Sequence, residues 1–183
     1  TSTPSFKNDR AILCRIRQEV PLCQIALSGA PMVVETRLIL EQYDCCDYLL
    51  IGEYEETLLD LVEHLEDHLS LASVSGIAYR ENGVARLNPR RRSIDPLDAL
   101  PWPHRETLPM GKYNDAFCNL PEPNVQMWAS RGCPFACTFC LWPQTMYGEQ
   151  RYRKRNSKDV VDEMEFLIRK YGFKAVYFDD DVF

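Results

Sequence analysis

The stretch NVQMWASRGCPFACTFC, residues 124–140, decides how this chain is read. Its first seven residues, Asn124 to Ser130, predict a short strand that passes straight into a loop carrying Cys133, Cys137 and Cys140. The spacing C-x3-C-x2-C is tight enough for three thiolates to converge on one metal centre. A structural zinc site wants four closing ligands, and no fourth Cys or His follows nearby: His104 lies well upstream, and His64 and His68 sit at helical spacing on another segment. A four-iron cluster held by three thiolates leaves one iron open to a further ligand. Zinc completed by a distant residue, and three idle buried thiols, are the alternatives that the spacing leaves standing.

Downstream, Ser157 is the predicted N-cap and Asp159 the first-turn acid of a helix whose apolar stripe is Val160, Val161, Met164, Leu167, Ile168 and Tyr171. Gly172 is placed to end it. KAVYFDDDVF, residues 174–183, then predicts a strand closing in Asp179, Asp180 and Asp181. A strand, loop, helix, strand unit cannot bury both its faces alone, so it reads as the opening of a larger α/β domain and the sequence as a fragment. Such a piece is expected to be inactive by itself.

Upstream, LCQIALSG (residues 22–29) predicts a buried strand ending at Gly29, followed by a helix over residues 33–43. DYLLIGE (residues 47–53) predicts the next strand, reaching Gly52 and Glu53, and Leu58, Leu59, Leu61, Val62, Leu65 and Leu69 mark an amphipathic helix. The alternation favours a parallel sheet covered by helices. Asn82-Gly83 predicts a hairpin turn, and the proline-rich residues 89–123 an extended connector. The domain reading is therefore 1–88, a linker over 89–123, and 124–183.

The chain has 183 residues, 45% of them hydrophobic, and a net charge of -6, which argues against a general nucleic-acid binder. The basic runs Arg90 to Arg92 and Arg151 to Arg155 read as solvated loop charges. No apolar run is long enough to span a bilayer, and the polar TSTPSFKNDR start is unlike a signal, so a cytoplasmic location is expected. Eight cysteines without an export signal read as reduced thiols; Cys14, Cys23, Cys45, Cys46 and Cys118 are taken as small apolar side chains.

At Cys133, Cys137, Phe139 and Cys140 the sequence resembles the radical S-adenosylmethionine (SAM) superfamily. The order SGAP, GEYEETLLDL, GIAYRENG, DPLDALPWP, SRGCPFACTFC, RYRKRNSKDVVDEM and KAVYFDDDVF resembles the subgroup with an N-terminal cobalamin-binding domain. The resemblance runs from about Leu22 to the last residue. It implies a partial doubly wound, Rossmann-like domain followed by the first βαβ portion of a partial TIM-type barrel.

It also implies that the three cysteines ligate a 4Fe-4S cluster whose open iron is chelated by SAM, which one electron cleaves to a 5′-deoxyadenosyl radical. By the same resemblance Phe139 lies near the adenine, where its backbone rather than its ring matters, and Asp179, Asp180 and Asp181 stand where groups meet the methionine ammonium; capping the strand is their plain alternative. Arg153 and Arg155 either meet the cofactor's carboxylate or are surface charges, the second being the reading kept, and Trp142 and Tyr147 either cover the cluster or belong to the core. Gly29, Gly52 and Glu53 occupy strand-end positions that receive a corrinoid's tail.

The Asp-x-His-x-x-Gly signature for a cobalt-ligating histidine is absent, so cobalamin with that ligand elsewhere, cobalamin without it, and no cobalamin all stay open. The implied activity is a methyltransferase or a radical oxidoreductase or cyclase, with a small-molecule substrate and an electron donor such as flavodoxin or ferredoxin. A zinc-stabilised binding module and a methylthiotransferase-like enzyme are the rival readings.

Overall fold

A computed structural model describes residues 4–113 and 119–183. It divides into two units, Thr1–Ser93 with Ala136–Glu149, and Ile94–Phe135 with Gln150–Phe183.

The first unit runs α1 (Phe6–Glu19), β1 (Ala26–Ser28), α2 (Ala30–Val34), α3 (Thr36–Gln42), β2 (Tyr48–Leu50), α4 (Glu55–Glu66), β3 (Ile77–Glu81) and β4 (Val84–Leu87). The sheet order is β1-β2-β3-β4, with β1 and β2 parallel and the last two pairings antiparallel. Strand β2 shows why both faces need cover. Leu49 packs with Ile39 and Leu40 of α3, while its neighbours Tyr48 and Leu50 pack with Leu61 of α4 on the opposite face. Helices on both faces of a sheet with a parallel pair are the doubly wound character that the sequence predicts. Asn82 (φ 52°) and Gly83 (φ 80°) make the predicted hairpin turn, where both central residues need positive φ.

Local boundaries differ for physical reasons. The predicted strand over 22–29 shortens to β1, because Arg17 on α1 donates to the carbonyls of Pro21 and Cys23, both at 2.9 Å, and Leu22 stays exposed. The helix predicted over 33–43 is two helices broken at Glu35 (φ -119°, ψ 26°). The break follows the β-branched pair Val33-Val34, and the Thr36 hydroxyl bonds back to the Met32 carbonyl. Of the predicted α4 stripe, Leu61 is buried and Leu58, Leu59, Val62 and Leu69 are exposed.

The second unit holds β5 (Asn124–Met127), β6 (Ser130–Arg131), β7 (Arg153–Lys154), α5 (Ser157–Tyr171) and β8 (Ala175–Phe178). Strands β5 and β8 pair in parallel across the helix, from Asn124↔Ala175 to Met127↔Phe178, and β6 pairs antiparallel with β7. This is the predicted βαβ unit. Val125, Met127, Val160, Leu167 and Phe173 form its core. The N-cap is Asn156 rather than Ser157: its side chain accepts from the Lys158 N–H at 2.9 Å, and Gly172 (φ 70°) ends the helix as predicted.

Val161 and Ile168 of the predicted stripe face solvent. In their place the helix buries Glu163, 1% exposed, which meets Arg105 at 2.8 Å and Arg155 at 2.7 Å. The proline-rich stretch contributes buried Ile94, Leu97 and Arg105 to this unit, and Trp102 donates to Asp159 at 3.0 Å. Among the described residues no helix is long and apolar enough to cross a membrane.

Candidate functional site

The loop that carries the cysteines leaves a turn tied down from two directions. On one side, the Arg155 backbone N–H donates to the Ala129 carbonyl and its Nη1 to the Trp128 carbonyl, both at 2.8 Å. On the other, the residues just past β8 reach across. The Asp180 carboxylate accepts from the Ala129 N–H at 3.1 Å and from the Ser130 hydroxyl, and Asp181 Oδ2 accepts from the Gly132 N–H at 3.0 Å. Gly132 has φ 87°, a left-handed backbone that favours glycine. Cys133 is the next residue.

Cys133 belongs with the second unit, and Cys137 and Cys140 with residues 136–149 of the first. Cys137 is exposed, the other two are half-buried, and none of the three is in a disulfide. The Cys140 N–H donates to the Cys137 carbonyl at 3.0 Å, so the last two cysteines bracket a tight turn. Phe139, between them, is 90% exposed. Among the described residues, no three His, Cys, Asp or Glu side chains are gathered as a metal-holding group. The donor set still suits an iron–sulfur cluster chemically: soft sulfur ligands, none spent on a disulfide, on one eight-residue stretch.

Gly29 follows β1 with φ 128°, and Gly52, φ 87°, lies two residues past β2. Gly52 is closely approached by the chain itself: a Cβ there would stand 3.0 Å from the Met146 carbonyl oxygen and 3.1 Å from Arg90 Nη2. Arg90 donates to the carbonyls of Thr145 and Met146, at 2.6 and 2.5 Å, in a single π-helical turn, Pro143–Tyr147. Burial lowers the Arg90 guanidinium's pKa, and the Glu149 and Glu53 carboxylates oppose that shift. Glu53 is buried. Tyr147 is half-buried, and Trp142 is exposed.

Both basic runs differ from their reading as solvated charges. Arg90 holds the π-turn, and Arg91 pairs with Asp60 on α4. Arg153 and Arg155 are buried: Arg153 donates to the Ile94 carbonyl at 2.5 Å, and Arg155 serves Glu163, Asp159 and the Trp128 carbonyl. A run of arginines carries no sequence mark of which carbonyls and carboxylates the fold will bring to it.

Of the remaining cysteines, Cys45 and Cys46 are small buried side chains, and Cys14 is half-buried. Burial first, and then a hydrogen bond with Cys14, pushes the Cys45 thiol up to about 12, and burial raises Cys46. Cys23 is half-buried, and Cys118 lies outside the described residues. His64 sits on α4 with Nδ1 donating to the Asp60 carbonyl at 2.8 Å, as a helix-surface residue.

No family model matches the chain. An uncharacterized methyltransferase of Pyrococcus horikoshii is 32% identical over the whole chain, which spans 39% of that protein. The anaerobic magnesium-protoporphyrin IX monomethyl ester cyclase of Cereibacter sphaeroides is 29% identical over 93% of the chain and 27% of its own length. The radical SAM methyltransferase TsrM of Kitasatospora setae, solved with cobalamin and a [4Fe-4S] cluster bound, superposes with a TM-score of 0.67 at 18% identity, over 97% of this chain and 34% of TsrM. That last likeness is one of fold. Sequence similarity to a methyltransferase and a cyclase, and a fold shared with a cobalamin-binding radical SAM enzyme, thus lead where the cysteine loop leads, and the chain spans roughly a third of the length of each of these proteins.

Proposed function

We propose that the protein is a radical SAM iron–sulfur enzyme and that its reaction is a cobalamin-associated methyl transfer. The observation that carries this reading is the C-x3-C-x2-C set, none of it in a disulfide, leaving the clamped turn after the first strand of a parallel βαβ unit. When bound, such a cluster would supply an open coordination position for SAM and the electron for its reductive cleavage to methionine and a 5′-deoxyadenosyl radical. Cys133, Cys137 and Cys140 would hold the cluster. Phe139, between Cys137 and Cys140, would lie near the adenine, with its backbone rather than its ring as the contact. Of the three aspartates, exposed Asp179 is the one we assign to the SAM ammonium, since Asp180 and Asp181 accept hydrogen bonds from the turn.

Cobalamin fits the subgroup and the cofactor bound in TsrM. Gly29, at the end of a parallel strand, is the corrinoid-contact candidate kept here. Gly52 is already in contact with the π-turn and Arg90, so it is assigned to that packing. The Pyrococcus relative's description favours methyl transfer, and the Cereibacter relative's favours a radical cyclase as the second reading. The protein would work in the cytoplasm on a small molecule and take electrons from a flavodoxin or ferredoxin.

The test is anaerobic reconstitution with iron and sulfide, followed by low-temperature electron paramagnetic resonance with and without SAM, beside Cys137→Ala. A four-iron signal that shifts on adding SAM and vanishes in the variant supports the reading. Zinc in its place, with no visible absorption, sinks it in favour of a structural module. Formation of S-adenosylhomocysteine with a methylated product separates methyl transfer from cyclisation.

A further inference from the structure

We propose that Asp180 and Asp181 are positioning residues that set the backbone leading into Cys133, with no contact to SAM. This rests on the iron–sulfur reading above and goes beyond it. Three donors lie along the backbone from the end of β5 to the residue after β6: the Ala129 N–H, the Ser130 hydroxyl and the Gly132 N–H. All three are received by these two carboxylates. Ala129 stands 3.1 and 3.2 Å from the two oxygens of Asp180, and Gly132 stands 3.0 Å from Asp181 Oδ2. Hydrogen bonds to an ionised acceptor are about twice as strong as neutral ones.

Geometry explains why the last bond matters for a metal ligand. Gly132 is in a left-handed conformation that no regular ladder supports, and it immediately precedes Cys133. With β5 and β8 paired in parallel up to Met127↔Phe178, and the Asp179 N–H bonded to the Met127 carbonyl at 2.9 Å, the chain past β8 is held beside the turn. Asp181 therefore ties the first cluster ligand to the end of the second barrel strand. Cluster potentials respond to hydrogen bonding and to the placement of the ligands.

The test compares Asp181→Ala and Asp181→Asn with wild type by three readouts: amide hydrogen exchange and Cys133 alkylation in the apoprotein, iron taken up on reconstitution, and SAM affinity of the loaded protein. Asparagine keeps an acceptor oxygen while losing the charge that an ammonium would need. Expected for Asp181→Ala is exchange at Gly132 about tenfold faster, a changed Cys133 alkylation rate and reduced iron uptake. Val125 and Val176 should stay protected, which shows that the βαβ unit remains folded. Expected for Asp181→Asn is near-native iron uptake and SAM affinity.

An Asp181→Asn protein that loads iron but binds SAM at least about tenfold more weakly overturns the proposal and makes Asp181 a cofactor ligand. Native exchange and native iron uptake in Asp181→Ala also overturn it. If wild type takes up no iron, the iron–sulfur reading fails, and exchange and alkylation still decide whether the tether exists.

Discussion

Glu163 on α5 accepts from Arg105 Nη1 at 2.8 Å, and both side chains are almost wholly removed from water. Arg155 stands on the other carboxylate oxygen at 2.7 Å. One anion thus answers two buried cations. Glu163→Ala leaves both guanidinium groups without it, and the expected loss is roughly 3–5 kcal/mol, the usual result of removing one partner from a buried pair. Urea unfolding of wild type and variant measures it, with an unchanged m value showing that the folded state is otherwise retained. A loss under about 1 kcal/mol would mean that water reaches the cluster of charges.

The contact between Arg90 and Gly148 gives a second expectation. Gly148 has φ 69°, and a Cβ there would lie 2.8 Å from Arg90 Cζ. Gly148→Ala strains the backbone and pushes the guanidinium off the Thr145 and Met146 carbonyls, at an expected cost of roughly 1–3 kcal/mol. Limited proteolysis should then cut within residues 136–149 sooner than in wild type. Arg90→Ala should open the same segment, because it removes the same two bonds.

Acid should weaken the second unit. The Arg155 guanidinium holds the Asp159 carboxyl below its ordinary value of 3.8, with the Trp102 indole N–H adding to the effect. A carboxylate depressed by folding contributes stability that is present above its unfolded pKa and is lost as pH falls through the lower folded one. Unfolding midpoints should therefore drop on acidification below about pH 4, and Asp159→Asn should flatten that dependence. Since the Asp159 side chain is partly exposed, the effect should be modest and should shrink with added salt.

Alkylation at pH 8 should sort the thiols. Cys137 is exposed and should be labelled first in the apoprotein. Cys45, pushed up to about 12, and buried Cys46 should be labelled only after unfolding, as mass mapping of the modified peptides would show. Early labelling of Cys45 would mean that α1 does not stay packed where Phe6 meets Tyr43 at 5.8 Å and Arg17 meets Asp47 at 2.5 Å.

That packing also shows what was hidden from sequence reading. Helix α1 was not foreseen, because none of its residues is fully buried and its polar start resembles a tail. Its stripe of Phe6, Arg10, Leu13 and Arg17 recurs at helical spacing, but two of its members are arginines that act through a ring and a carboxylate. A scan for apolar periodicity passes over such a stripe. The same blindness placed Val161 and Ile168 in the core in place of Glu163.

What sequence alone determined here is whatever rests on neighbours along the chain. Asn82-Gly83 makes its turn from local backbone preference, Gly172 ends its helix for the same reason, and Cys133, Cys137 and Cys140 carry their chemistry in their spacing. The βαβ order follows from apolar runs of strand and helix period. Tertiary structure decided which charges are buried and which carboxylates are committed. Asp180 and Asp181 looked alike with Asp179 in sequence, yet the parallel pairing of β5 with β8 brings those two against the donors of a turn some fifty residues away. Hydrogen bonds over that separation depend on strand register, and register is set by the burial of whole faces rather than by any single residue.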